Sequence, residues 1–180
     1  MPTSRHRRKG VSRPRVRHPH VPDPRCPECV DPTYDPVAAR LAQLQRIERD
    51  GWALQGVLGD RTHPEYVYTV GLSDLGHPEL VIVGMHVDDG CSELTALVPL
   101  VLDGLRIGNL HELEKPCGCA IRFVPVRPGA IDLNVADDVH GRPVQAIQYV
   151  WSAYGRYPGE PGYDQVRYRQ PLLGQAWWSP

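Results

Sequence analysis

Apolar positions recur along the chain with two periods. Val37, Leu41, Leu44 and Ile47 follow one another at spacings of four, three and three, the repeat of a helix that buries one face. Asp35 suits the cap of that helix, Pro36 its first position and Gly51 its end. Arg40, Arg46, Glu48 and Arg49 fall away from the apolar face. Three strands are predicted next, over Trp52–Leu58, Tyr66–Leu72 and Leu80–Gly84. The second is rich in β-branched and aromatic residues. The third is a continuous apolar run, the pattern of a central strand covered on both faces. Gly59-Asp60, His63-Pro64 and Gly76-His77-Pro78 supply the turns between them. A broad stripe of Leu94, Leu97, Val98, Val101, Leu102 and Leu105 predicts a second helix over Ser92–Leu105. Ala120–Val126 and Val144–Trp151 read as two more strands, Ile131–Val139 is ambiguous, and the chain from Gly155 reads as ordered coil.

These elements predict one α+β domain over residues 26–180, with a mostly antiparallel twisted sheet of about five strands and two main helices. The connection Ser73–Pro78 is short, so antiparallel pairing of the second and third strands is the economical topology.

Charge changes the picture at the N-terminus. Residues 1–25 hold eight Lys or Arg against one acid, Asp23, while the rest holds twelve basic residues against twenty acidic ones. The near-neutral total of −1 therefore hides a basic tail and an acidic body. Pro14, Pro19, Pro22 and Pro24 exclude a helix there, so the tail is expected to be disordered and to bind polyanions weakly through salt-sensitive contacts. No apolar run reaches the roughly 18 residues of a membrane span, and residues 1–20 lack the apolar stretch of a secretory signal. A cytoplasmic protein with cysteines as thiols or metal ligands is expected.

His77 and Glu79 are the candidate catalytic pair. An imidazole and a carboxylate at a strand entrance can serve acid–base chemistry when a substrate lies within hydrogen-bond reach. Gly76 and Pro78 equally fit a purely structural turn, and that reading is preferred for them. Thr69 and Gln148 are the candidate ligand-binding residues. Gln148 stands in the apolar run Ala146–Trp151, where a buried amide must clamp a neighbouring loop or read a ligand. Cys26, Cys29, Cys117 and Cys119 could together supply four zinc ligands, but the C-x-C spacing of the second pair is unusual, and zinc is not favoured. No phosphate-binding glycine loop, nucleophile elbow or dinucleotide fingerprint is present.

Six short runs occur in order: Cys26-Pro27-Glu28-Cys29; Gly51-Trp52; Tyr68-Thr69-Val70-Gly71-Leu72; His77-Pro78-Glu79-Leu80; Gln148-Tyr149-Val150-Trp151; and Gln170-Pro171-Leu172-Leu173-Gly174. Their order and spacing resemble the bacterial domain of unknown function 4262, over about residues 26–174. The resemblance implies no established activity. The chain departs from the pattern in its basic tail, in Cys117-Gly118-Cys119, and in Ser152-Ala153, where the family often has an acidic residue.

Three functions compete on these features. The leading one is a small-molecule binding domain or enzyme with a pocket near His77 and Glu79. The second is a nucleic-acid or ribonucleoprotein partner bound through the tail. The third is a protein-interaction module, with Trp177-Trp178 as an anchor.

Overall fold

The structure is a computed structural model, and it describes residues 30–31, 33–109, 112–116 and 118–178. Helix α1 spans Pro36–Asp50. Strands β1 (Ala53–Val57), β2 (Tyr66–Val70) and β3 (Glu79–Val83) follow, then helix α2 (Val87–Leu102). Strands β4 (Glu112–Glu114) and β5 (Ala120–Pro125), helix α3 (Asn134–His140) and strand β6 (Ala146–Val150) complete the order.

The six strands form one sheet in the order β1-β2-β3-β6-β5-β4. All neighbours pair antiparallel except β3 and β6, which run parallel. The α+β class stands, with a mixed sheet and one more strand than expected. The extra strand, β4, has three residues, two of them exposed glutamates, so no apolar alternation marks it. Every residue of β3 and of β6 is buried. Their near-continuous apolar runs are what a doubly covered strand requires.

Alternation along the strands divides the core between two faces. Val67, Leu80, Ile82, Ile147 and Tyr149 point to one face and pack under Leu94, Leu97, Val98 and Val101 of α2. Tyr68, Val70, Val81, Val83 and Ala146 point to the other, against Leu133 and Ala136 beside α3 and against Leu173 of the C-terminal segment. Helix α2 starts five residues before the predicted position. His86 caps it, its Nδ1 accepting from the Asp88 amide at 3.3 Å. The ambiguous Ile131–Val139 stretch resolves into α3.

Helix α1 corrects one expectation. Asp35 caps it and Gly51 ends it in a left-handed conformation, as predicted. The face predicted to be buried, however, is largely exposed: Val37 is 60%, Leu41 55% and Leu44 39% accessible. Helix α1 instead docks through Arg40, Gln43 and Ile47. Gln43 Nε2 donates to Leu54 O at 3.3 Å and to Gln55 Oε1 at 3.2 Å, and Arg40 reaches Val135 O at 3.4 Å. Periodicity identifies which residues share a helix face, and here hydrogen bonds to β1 and α3 hold the adjacent polar face inward.

Among the described residues no helix is long and apolar enough to cross a membrane. Residues 1–29, and with them the basic tail, Cys26 and Cys29, lie outside the described residues, as does Cys117.

Candidate functional site

Glu79 opens β3, and its side chain is fully buried. The ladder between β2 and β3 ends at Tyr68–Val81. One step further on, the Leu80 amide donates to Thr69 Oγ1 at 2.8 Å, so a hydroxyl replaces a backbone acceptor where the strands part. The carboxylate of Glu79 fills that fork. Thr69 Oγ1 donates to Oε2 at 2.6 Å, and the amides of Gly71, Leu72 and Ser73 donate at 3.1, 3.3 and 3.0 Å. Those amides open the 3-10 turn Leu72–Leu75, whose unpaired donors a carboxylate satisfies well. Gly71 adopts φ 119° there, and a Cβ at this position would strike Gly51 O, so the turn requires glycine.

His140, at the last position of α3, adds a second titratable group to this fork. Its side chain is 5% accessible. Nδ1 lies 3.0 Å from Asp74 Oδ1, and Nε2 lies 3.5 Å from Glu79 Oε1 without forming a hydrogen bond. No spacing in the chain joins His140 to Glu79, because the two are 61 positions apart.

The structure therefore brings Thr69 and Glu79 together and sets His77 and Gln148 in other contacts. His77 is buried, with Nδ1 2.7 Å from Pro78 O and Nε2 accepting from the Ile107 amide at 3.2 Å. That pattern requires a neutral imidazole with its proton on Nδ1. Burial lowers the pKa of His77, opposed by its bond to the Pro78 carbonyl. With a folded pKa below the unfolded value near 6.5, the unfolded chain binds the extra proton. Stability is expected to hold above about pH 7 and to fall as pH drops through about 6.5 towards the folded pKa. A His77→Gln variant, compared with the wild type by urea unfolding across that window, is expected to show a smaller loss. Equal pH slopes would contradict the assignment.

Gln148 clamps the C-terminal segment. Its Nε2 donates to Pro171 O at 2.8 Å, and its Oε1 accepts from the Leu173 amide at 2.8 Å. Gln170 repeats the device on Trp151, accepting from its amide at 3.0 Å and donating to its carbonyl at 2.9 Å. Trp178 donates to Pro158 O at 2.9 Å and packs on Tyr157, while Trp177 is 52% accessible. Cys91 is half-buried, with its thiol pKa raised by burial, and Cys119 is exposed. Among the described residues no group of three or more His, Cys, Asp or Glu is placed to hold a metal ion.

A surface cleft of about 280 Å³ lies between the β1–β2 loop and the segment Arg167–Arg169. Its acids are already engaged. Asp60 accepts from Thr62 Oγ1 at 2.7 Å and from the amides of Thr62 and His63 at 2.7 and 2.8 Å, bonds that hold its carboxyl well below the usual range. Glu65 Oε2 accepts from the Val87 amide at 3.2 Å. Arg169 reaches across to Asp60 O at 3.0 Å and Arg61 O at 3.3 Å. Arg167 makes no ion pair among the described residues; its guanidinium lies 5.3 Å from the Tyr168 ring and 5.9 Å from the Tyr154 ring.

Tyr154 is 83% accessible and is the one non-glycine among the described residues at positive φ, 51°. It sits in a two-residue hairpin closed by reciprocal bonds between Ala153 and Arg156, with Gly155 at φ 73°. Two central residues at positive φ make the primed turn in which Asn-Gly is preferred. A bulky aromatic there is strained, and such strain gathers at binding sites. Tyr154 falls between the predicted strand ending at Trp151 and the coil from Gly155, and no pattern in the sequence joins it to Arg167 and Arg169, because three separate segments meet only in the fold.

Comparison with curated proteins returned no match, and neither did comparison with solved structures. The family described as a domain of unknown function, DUF4262, matches residues 46–164. That span takes in β1 through β6 and the Tyr154 turn, and the chain belongs to the DUF4262 family.

Proposed function

We propose that the domain binds a small anionic molecule with a planar aromatic part, of the nucleoside monophosphate class, in the cleft beside Arg167. The observation that carries this reading is the Arg167 guanidinium, at the cleft, beside the Tyr154 and Tyr168 rings and, among the described residues, in no ion pair. An arginine fork suits phosphate oxygens, and exposed aromatic faces suit a stacked base. Arg169 and His63 line the same cleft. The Glu79 turn and the Gln148 and Gln170 clamps hold the surrounding segments in place. No atom of His77, Glu79, Thr69 or Gln148 is needed to touch this ligand.

Calorimetric titration of the full chain with adenosine 5′-monophosphate, adenosine and inorganic phosphate tests the reading. The monophosphate is expected to bind more tightly than either part alone. Arg167→Ala is expected to weaken it at least about tenfold, the scale of one charged contact. Tyr154→Asn is expected to weaken binding as well, while leaving stability unchanged or raising it by up to about 1 kcal/mol, since asparagine tolerates positive φ. No binding of the monophosphate, or equal binding by wild type and Arg167→Ala, would reject this site.

A further inference from the structure

His140 closes α3 with its side chain 5% accessible, and both edges of its ring face acids. Nδ1 lies 3.0 Å from Asp74 Oδ1 and Nε2 lies 3.5 Å from Glu79 Oε1. Nε2 is buried and, among the described residues, has no hydrogen-bond partner. A buried polar atom left in this way is uncommon in a folded protein and calls for a physical account. Glu79 meets the ring as a carboxylate, because Thr69 Oγ1 and the amides of Gly71, Leu72 and Ser73 all donate to it.

A neutral imidazole has one proton and one lone pair on its two nitrogens. Whichever nitrogen holds the proton, the other sets its lone pair against a carboxylate oxygen. Only the doubly protonated ring offers a donor to each acid. The other charged groups nearby do not relieve this. Asp137 of α3 turns instead to the Val144 amide at 2.9 Å. His77 is held neutral by its contacts with Pro78 O and the Ile107 amide. Among the described residues, neither Asp74 nor Glu79 pairs with a Lys or Arg.

We infer that His140 is a proton-operated latch between α3 and the turn Leu72–Leu75. With both nitrogens protonated, the end of α3 is tied to Asp74 on the turn and to Glu79 beneath it. Loss of one proton breaks one tie and sets a lone pair against a carboxylate inside the fold, so the last turn of α3 loosens. Other segments rest on the same helix. The Val135 amide donates to Tyr68 Oη at 3.3 Å, and Val135 O accepts from Arg40 of α1 at 3.4 Å.

Magnetic resonance of the full chain between about pH 5 and 8, the range in which histidine changes charge, tests the latch. The ring nitrogens of His140 and the backbone amides are followed in the same samples. The amides of Leu72, Ser73 and α3 are expected to shift with the midpoint of the His140 ring. The Ile107 amide, bonded to His77, reports that histidine separately. In His140→Gln the α3 and turn amides are expected to lose this transition, with the Ile107 response unchanged. Asp74→Asn alters a side chain that is 66% accessible. It is expected to keep the fold and to move the shared midpoint to lower pH, because one of the two acids that favour the charged ring is gone. A ring that holds one protonation state across the range overturns the inference, as do amides that do not move with the ring. A transition that survives in His140→Gln, or a midpoint unmoved in Asp74→Asn, overturns it as well.

Discussion

Replacing Glu79 by glutamine is expected to destabilise the domain by about 3–5 kcal/mol, well above the roughly 1 kcal/mol of a single hydrogen bond. The carboxylate accepts from Thr69 Oγ1 and from three amides of the Gly71–Ser73 turn. A glutamine side chain offers one acceptor oxygen and turns an NH₂ group towards the remaining donors. Each buried donor left unsatisfied costs about 1–3 kcal/mol, and two are lost. The turn cannot escape outward, because Gly71 rests on Gly51 O and the side chain of Glu79 has no route to water. Urea unfolding measures the effect as a lower midpoint at constant slope. A loss below about 1 kcal/mol would mean that the fork is not held by this carboxylate.

Gly84→Ala is expected to cost about 2–5 kcal/mol and to weaken ligand binding in the same variant. Gly84 has φ 75°, and a Cβ there would collide with the carbonyl of Arg169 and the amide of Gln170. Both contacts are backbone, so no flexible side chain can yield. Relief requires the segment Arg169–Gln170 to lift from the end of β3, which pulls against the Gln170 bonds to Trp151. The same displacement moves Arg167 and Arg169 away from the β1–β2 loop. Parallel losses of unfolding free energy and of monophosphate affinity are expected. A stable variant with unchanged affinity would show that the C-terminal segment does not depend on this close approach.

The strands were legible because burial writes itself into short apolar runs. Leu80–Gly84 and Ala146–Trp151 carry the signal of strands covered twice, and both lie at the middle of the sheet. Helix α1 was legible as a helix, through Asp35, Pro36 and Gly51, but not in its orientation, since an apolar stripe facing solvent has the same period as one facing a core. Gly76–Glu79 reads as a structural turn and Thr69 as a ligand-binding residue, whereas the fork of bonds from Thr69 and the Gly71–Ser73 amides to the buried Glu79 carboxylate arises from the fold. Joining His140 to that fork required the position of α3, which single-sequence periodicity did not fix. Tyr154 carried one local signal, an aromatic directly before glycine between a strand and a coil. Its positive φ belongs to the local turn closed by Ala153 and Arg156, and its place beside Arg167 depends on Gln148 and Gln170, which fasten residues 170–173 to β6 and Trp151.

Amide resonance mapping of the full chain during addition of adenosine 5′-monophosphate tests the cleft most directly. Ligand-dependent shifts are expected to concentrate in residues 59–65, 153–156 and 167–169, and to disappear from those residues in Arg167→Ala. Shifts gathered instead around Thr69, His77, Glu79 and His140, or the absence of any shift, would contradict the account.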